Sequence, residues 1–336
     1  MKKLLFATTA LIATAGVAAA EIEFSGYGRF GLDYNDANDP DVNGVSETNI
    51  TSRLRLQFDM SAETDAGIGF NARLRAQAES RDNNPETATL NGARFGVSYG
   101  GFSVNVGNTT GAIENTPGLY LGTKSAGIGI DGAGFVSVVT NVNGNYFNWD
   151  AYDSTGAGVN GVEALYEVGG FTGHVSYSDR NKPNAMNNNG GFSRTAVMLT
   201  YSFEDITISG SHQSSEAQWE DKTVLTASYE ADGWGARLAY ADNDGIGKWG
   251  IYGNVDIGAA SNLLLFVTDE DAVSASDVAA GRNDNRDNVA GSNNEEGTSY
   301  GIHYSYDLGG GVLLETGYRR ASNDNNTFQA GVYFAF

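Results

Sequence analysis

One short motif and three histidines are the features of this sequence that could perform catalysis. Residues 297–301 match the G-x-S-x-G pattern of serine hydrolases, in which a sharp strand-to-helix turn exposes the serine nucleophile. Here the match lies within an alternating, strand-like stretch, and His174, His212 and His303 are scattered along the chain without a convincing acidic partner. We therefore predict no catalytic residues.

A second stretch resembles part of a calcium-binding loop. Residues 39–44 reproduce the first half of the D-x-D-x-N-G pattern, and Glu47 occupies its ninth position. The twelfth position holds Ile50 instead of the bidentate glutamate, which excludes an EF-hand. Acidic loops are usually just solvated, so we predict no cofactor, although an oxygen-rich outer loop could still hold a divalent cation. The candidate calcium ligands are Asp39, Asp41, Asn43 and Glu47.

The composition excludes several classes of protein. The 336 residues contain no cysteine, which removes disulfides, thiolate metal sites and cysteine nucleophiles. A formal net charge of -21 repels phosphate backbones, so nucleic-acid binding is not expected. The chain has 45 Gly against 4 Pro, with 17 Tyr and 16 Phe. These numbers favour aromatic strands joined by small turns.

Hydrophobic periodicity indicates an all-β architecture. Over residues 50–60 and 68–79 the even positions carry no charge, whereas six of the eleven odd positions are charged. A period of two places the two sets on opposite faces of a strand. The same alternation predicts sixteen strands, from residues 22–34 to residues 327–336. Their connections alternate between tight turns and long segments rich in Asn, Asp and Gly.

The position of the aromatic residues indicates which face meets lipid. Aromatics flank the tight turns, as at Tyr99, Phe102, Tyr229 and Trp234, and a second set that includes Tyr240 lies near the opposite strand ends. Two aromatic girdles one strand apart are typical of a transmembrane barrel. The polar rows then face a lumen. Unpaired arginines in a dry interior would each cost several kcal/mol, so we expect a water-filled channel, as in other barrels of this size.

The first residues have the features of a secretory signal peptide. Lys2 and Lys3 precede an apolar stretch from Leu4 to Val17, and small residues follow at positions 18–20. We therefore expect residues 1–20 to be cleaved, leaving residues 21–336 as a single barrel domain in the Gram-negative outer membrane.

The two ends of the barrel region resemble those of a known family. Residues 21–29 look like the opening strand of the Gram-negative general porins, within them the Rhodobacter-type porins of alphaproteobacteria, and residues 330–336 look like their closing strand. The resemblance covers essentially the whole of residues 21–336. A terminal Phe336 after alternating apolar residues is similar to the signal read by the barrel assembly machinery.

This resemblance implies a homotrimer of 16-stranded antiparallel β-barrels, each with a long third loop folded into its lumen. That loop would be residues 108–160. Apart from the resemblance, the long acidic connection at residues 269–296 could hold divalent ions that bridge it to lipopolysaccharide phosphates. The family pattern sets loop acids against a basic wall across a pore constriction. The acids here would be Glu114, Asp131, Asp150 and Asp153, and the wall Arg29, Arg53, Arg55, Arg73, Arg75 and Arg94.

The expected function is that of a passive channel for ions and small hydrophilic solutes. A substrate-specific channel is the first alternative; it would show a ladder of lumenal aromatics, and Tyr27, Tyr252 and Tyr333 form no evident ladder. An outer-membrane enzyme and a secreted adhesin or calcium-binding repeat protein are weaker alternatives. The net charge favours cations at the mouth whereas the arginines favour anions within, and the sequence leaves open which effect dominates.

Overall fold

The computed structural model describes residues 20–81, 84–120, 149–179, 192–286 and 296–336. Within these ranges almost all regular structure is β-strand, and one short helix, α1, spans Ala275–Ala279. No helix in the described part of the chain has the length and hydropathy to cross a membrane. The strands are β1 Glu21–Asn35, β2 Thr48–Glu63, β3 Gly69–Arg81, β4 Asn84–Pro85, β5 Thr89–Leu90, β6 Arg94–Tyr99, β7 Phe102–Gly107, β8 Gly161–Val168, β9 Phe171–Asp179, β10 Ser193–Phe203, β11 Ile206–Ser215, β12 Lys222–Ala231, β13 Trp234–Asp242, β14 Gly247–Ile257, β15 Ser261–Glu270, β16 Gly297–Gly309, β17 Val312–Arg320 and β18 Asn326–Ala335.

The strands close into a single antiparallel barrel. Each long strand pairs with its neighbours in the chain, and β1 pairs with both β2 and β18, which closes the ring. The two-residue strands β4 and β5 each form a short pairing with the C-terminal half of β3. The remaining sixteen strands form the wall, which confirms the predicted fold.

Tight turns lie at one end of the barrel and long connections at the other. Gly100 and Gly101 join β6 to β7 with φ angles of 58° and 82°, a conformation that glycine adopts without steric cost. Outer-membrane barrels place their short turns at the periplasmic end. We call this end the short-turn end.

The outward face of the wall is apolar. Phe24, Leu54 and Leu238 expose 66%, 46% and 59% of their surface, whereas the adjacent Arg53 points inward and is half-buried. Tyr99 and Trp234 are exposed beside the tight turns, and Tyr240 is exposed near the opposite end. The predicted assignment of even and odd positions to the two faces of β2 and β3 agrees with this arrangement.

Two neighbouring strands are much shorter than β1 and β2: β7 has its predicted bounds, and β6 is two residues shorter than predicted. β6 begins at Arg94 instead of residue 92, so β6 and β7 have six residues each, whereas β1 and β2 have 15 and 16. The backbone leaves the ladder after Asn91, because the Gly92 N–H donates to the Gly156 carbonyl and the Asn91 side chain donates to the Asp153 carbonyl, both on the long loop. The part of the wall formed by β6 and β7, which we call the low sector, therefore spans a shorter distance along the barrel axis than β1 and β2 do.

The connection between β7 and β8 folds into the barrel, as expected for residues 108–160. Its first leg, residues 108–120, runs along the inner face of the wall, and its second leg, residues 149–160, returns to β8. Ile113 and Leu119 of the first leg are almost fully buried against inward residues of the wall. The described parts of this loop narrow the lumen.

Candidate pore constriction

The six predicted wall arginines lie on four neighbouring strands and face the lumen. Arg29 is on β1, Arg53 and Arg55 are on β2, Arg73 and Arg75 are on β3, and Arg94 begins β6. Antiparallel pairing brings Arg29 opposite Arg53 and Arg73 opposite Arg94. The strand register therefore concentrates positive charge on one sector of the inner wall.

Two of these arginines form ion pairs with carboxylates on adjacent strands. Arg53 donates two hydrogen bonds to Glu79, at 2.8 and 2.9 Å, and Arg73 donates one to Asp59 at 2.6 Å. Each pair consists of direct cross-strand neighbours. The charges of Arg53 and Arg73 are therefore compensated within the wall itself.

Arg75 is held mainly by neutral groups. Its Nε donates to Gln57 at 2.7 Å and its Nη1 donates to the Ser154 hydroxyl at 3.1 Å. Its guanidinium lies 4.6 Å from the centre of the Tyr152 ring, and that of Arg94 lies 5.8 Å from the same ring. Cation–π contacts at such distances are attractive. The second leg of the loop is thus attached to the arginine wall through Tyr152 and Ser154.

The first leg of the loop is attached to the facing sector by hydrogen bonds. Glu163 of β8 accepts from the backbone N–H groups of Thr110 and Gly111, at 3.1 and 3.0 Å. Thr116 donates to Ser211 of β11 at 2.8 Å. These contacts satisfy backbone groups of an irregular segment that would otherwise be buried unpaired.

An apolar seat on the inner face of the wall completes this attachment. It consists of Ala196, Met198, Val224, Ala239, Ala241, Tyr252, Leu264 and Phe266, all buried, with Ala112, Ile113 and Leu119 of the first leg packed against them. The sequence pattern predicts polar rows on the lumenal face, and this sector differs from that expectation. The difference arises because these inward positions contact the loop instead of water. In the sequence, apolar residues at inward positions, such as Met198 and Phe266, indicate this contact.

The predicted loop acids have different surroundings. Glu114 accepts hydrogen bonds from the Tyr120 hydroxyl and from Trp149 Nε1, both at 2.6 Å. Burial raises the pKa of the Glu114 carboxyl, and these two donors oppose the increase only in part. Glu114 is therefore a titratable group inside the lumen that becomes neutral at a higher pH than an ordinary glutamate.

Asp150 and Asp153 mainly hold the loop in place. Asp150 accepts from Arg194 of β10 at 3.0 Å, and Arg194 also donates to both oxygens of Glu220. Asp153 Oδ1 accepts from the backbone N–H groups of Thr155 and Gly156. The fourth predicted acid, Asp131, lies outside the described residues.

The other candidate sites have ordinary structural surroundings. Oδ1 of Asp39 accepts the Asp41 N–H, and Oδ1 of Asn43 accepts the N–H groups of Asp39 and Val45, so both stabilise their own loop. Across the described ranges no three His, Cys, Asp or Glu side chains are grouped so that they could hold a metal ion. Calcium binding at this loop, with Glu47 among the candidate ligands, stays an open alternative to the prediction of no cofactor.

The serine of the G-x-S-x-G match lies inside a strand. Ser299 is buried in β16 and accepts a hydrogen bond from the Ser322 N–H. His174 and His303 point inward, whereas His212 lies on the outward face. The three histidines are on different strands; His303 shares β16 with Ser299 but lies four residues further along it, and Ser299 lacks the exposed turn that a serine nucleophile requires.

The chain is similar in sequence to known porins. Residues 7–326 match the family model described as Gram-negative porin. The chain belongs to the Gram-negative porin family. A protein named porin from Fuscovulum blasticum is 27% identical over 326 residues, which cover 94% of this chain and 100% of that relative.

Solved structures have the same fold. A triple mutant of the Rhodopseudomonas blastica porin superposes with a TM-score of 0.70 at 24% identity, and another variant of the same porin gives 0.69 at 25% identity. Both alignments cover 94% of this chain and 100% of the solved chain. As a Gram-negative porin, the protein forms a general diffusion channel in the outer membrane. Its relatives are channels and not enzymes.

Proposed function

We propose that this porin conducts ions and small hydrophilic solutes passively, without a chemical step, and that the long loop and the arginine wall together set its selectivity. The observation that carries this proposal is the position of the loop. Its first leg is fixed to the sector from β8 to β13, so the remaining lumen is bounded by the loop and by the strands that bear the arginines. Charges on the two sides of a narrow aqueous path act strongly on passing solutes.

The constriction proposal assigns unequal roles to the predicted residues. Arg75 and Arg94 have no carboxylate in contact among the described residues, so their charge acts on the lumen. Arg53 and Arg73 are largely neutralised by Glu79 and Asp59. On the acidic side we assign the main role to Glu114, because Asp150 is neutralised by Arg194.

The size limit of the channel can be tested with proteoliposomes. We expect swelling rates that decrease steadily across a series of neutral sugars of increasing size, as for a water-filled pore. A rate that is high for one sugar and absent for smaller ones would instead indicate a substrate-specific channel.

We also propose that the protein assembles as a homotrimer through its low sector. A membrane-spanning strand tilted by about 45° needs roughly 9–11 residues, and β6 and β7 have six each. Their outward side chains Phe95 and Val97 are nevertheless exposed in the single chain. A neighbouring subunit would cover this sector and avoid thinning of the bilayer. Native mass measurement in detergent should give three copies of the chain.

The route to the outer membrane follows from the two ends of the sequence. We propose that residues 1–20 are a cleaved signal peptide and that Phe336 belongs to the recognition signal of the barrel assembly machinery. Phe336 is paired through its backbone with Gly26 at the closure of the barrel. Contact of the acidic outer loops with lipopolysaccharide belongs to the same proposal. Mass spectrometry of the mature protein should place its first residue at Glu21.

A further inference from the structure

A row of four charged residues crosses neighbouring strands near the short-turn end of the lumen. Cross-strand pairing aligns Glu23 of β1 with Asp59 of β2, Asp59 with Arg73 of β3, and Arg73 with Arg94 of β6. Successive strands lie about 4.8 Å apart. The row therefore carries two negative charges followed by two positive charges along a single line on the wall.

The two inner members of this row neutralise each other, and the two outer members do not. Arg73 donates to Asp59 at 2.6 Å. Glu23 is exposed, and within the described ranges neither it nor Arg94 has an ion-pair partner. Arg94 Nε is also buried without a hydrogen-bond acceptor. The row thus has an unneutralised acid at one end and an unneutralised base at the other.

A cavity lies over this row. Its volume is about 440 Å³, and Glu23, Asp59, Arg73 and Arg94 all contribute to its lining together with Glu21 and Asn105. This size falls within the range of roughly 300–1,000 Å³ typical of small-molecule sites. Most of the lining is polar, so the cavity suits a hydrated, charged solute.

We propose that this cavity is a binding subsite for zwitterionic solutes of the amino-acid class. The solute carboxylate would lie against Arg94 and Arg73, and its ammonium group against Asp59 and Glu23. This orientation sets the dipole of the solute antiparallel to that of the row, which is the favourable arrangement for two dipoles side by side. A solute with only a negative or only a positive charge would be attracted to only one end of the row.

The subsite adjoins the constriction: it shares Arg73 and Arg94 with the arginine wall, and its acids Glu23 and Asp59 lie closer to the short-turn end than Arg75. It rests on the proposed function, since a solute reaches it only through an open lumen. A solute held there would partly obstruct the passage of ions. Binding should therefore appear as a saturable decrease in conductance.

The test uses the mature trimer in planar bilayers with glycine added at increasing concentration. We expect glycine to lower the single-channel conductance with a half-saturating concentration, whereas acetate, methylammonium and acetamide, after correction for their own conductance, should have much weaker effects. Glu23→Gln and Arg94→Gln should each raise the half-saturating concentration by about threefold or more, the scale of a solvent-exposed ion pair. Arg94→Lys should retain most of the effect.

A matched control is available on the far side of the same mouth. Glu230 of β12 is an exposed acid on the lumenal face whose contact with Arg237, at 3.9 Å, is long and contributes little, and Glu230→Gln makes the same change in net charge as Glu23→Gln. It should leave the response to glycine unchanged. Both Glu21 and Glu23 line the cavity, but cleavage after position 20 would place a new amino group beside Glu21. The substitution is therefore made at Glu23.

Three results would overturn the subsite. These are a conducting channel with no saturable response to glycine, a response to acetate equal to that of glycine, and an equal effect of Glu230→Gln and Glu23→Gln. In each case the channel conducts, so the proposed function stands. A folded barrel without conductance would contradict that function itself.

Discussion

The guanidinium of Arg194 on β10 donates a 3.0 Å hydrogen bond to Asp150 on the second leg of the long loop. Both side chains are buried, and the same guanidinium makes two further hydrogen bonds to Glu220. One cation therefore compensates two buried carboxylates. The loop is connected to the wall at this point by charge, in addition to the apolar seat beneath its first leg.

This arrangement predicts an order of effects for two substitutions. Arg194→Gln leaves the buried Asp150 carboxylate without its cation and leaves Glu220 with only the Ser215 hydroxyl and the nearby Lys222, so it should lower the free energy of unfolding by about 3–5 kcal/mol. Asp150→Asn should cost less, because Arg194 retains Glu220. Urea titration of the refolded protein in lipid vesicles measures both values. Equal costs would show that the Asp150 contact determines the stability of the whole cluster.

The apolar seat predicts that loop packing can be weakened without opening the barrel. Ile113 is 1% exposed against the seat, and truncation of such a residue to alanine typically costs about 2–5 kcal/mol. We expect Ile113→Ala to increase current noise and conductance while the circular dichroism spectrum stays that of a β-barrel. Ile208→Ala, on the outward face, is the control and should not alter the current. An unchanged current in Ile113→Ala would mean that this contact does not hold the loop.

The assignment of faces predicts opposite results for two added arginines. Leu238 faces outward on β13, and Leu238→Arg should destabilise the protein by about 2–4 kcal/mol. Asn254 lies on the lumenal face of β14, near the Glu230 carboxylate, and Asn254→Arg should assemble normally. Folding yield in vesicles and reversal potential distinguish the two variants. Equal assembly of both would contradict the assignment.

The environment of Glu114 predicts a pH-dependent selectivity. Because burial raises its pKa, the carboxyl is neutral below that raised pKa and charged above it, so the preference for cations should decrease as pH falls through this range. Tyr120→Phe removes a donor to the ionised form and should move the transition to higher pH. Glu114→Gln should abolish it. Reversal potentials measured across the pH series would be inconsistent with this role if the wild type and Glu114→Gln titrated identically.

Much of the architecture could be predicted from the sequence because it depends on local periodicity. Alternation at Arg53, Leu54 and Arg55 identifies the two faces of β2 directly. The apolar seat was missed because inward residues such as Met198 look like exceptions to a polar row until the path of the loop is known. The partner of Asp150 was missed for a related reason: Arg194 is distant in the sequence, and barrel closure and loop path together bring them into contact.

The most direct test of the account is single-channel recording of the detergent-extracted protein in planar bilayers, with reversal potential measured under a salt gradient. We predict conductance that appears in steps of three, corresponding to the trimer, and a reversal potential that shifts toward anion preference in Glu114→Gln and toward cation preference in Arg75→Gln. Absence of conductance from a demonstrably folded barrel would contradict the central claim that the lumen beside the arginine wall is an open aqueous path.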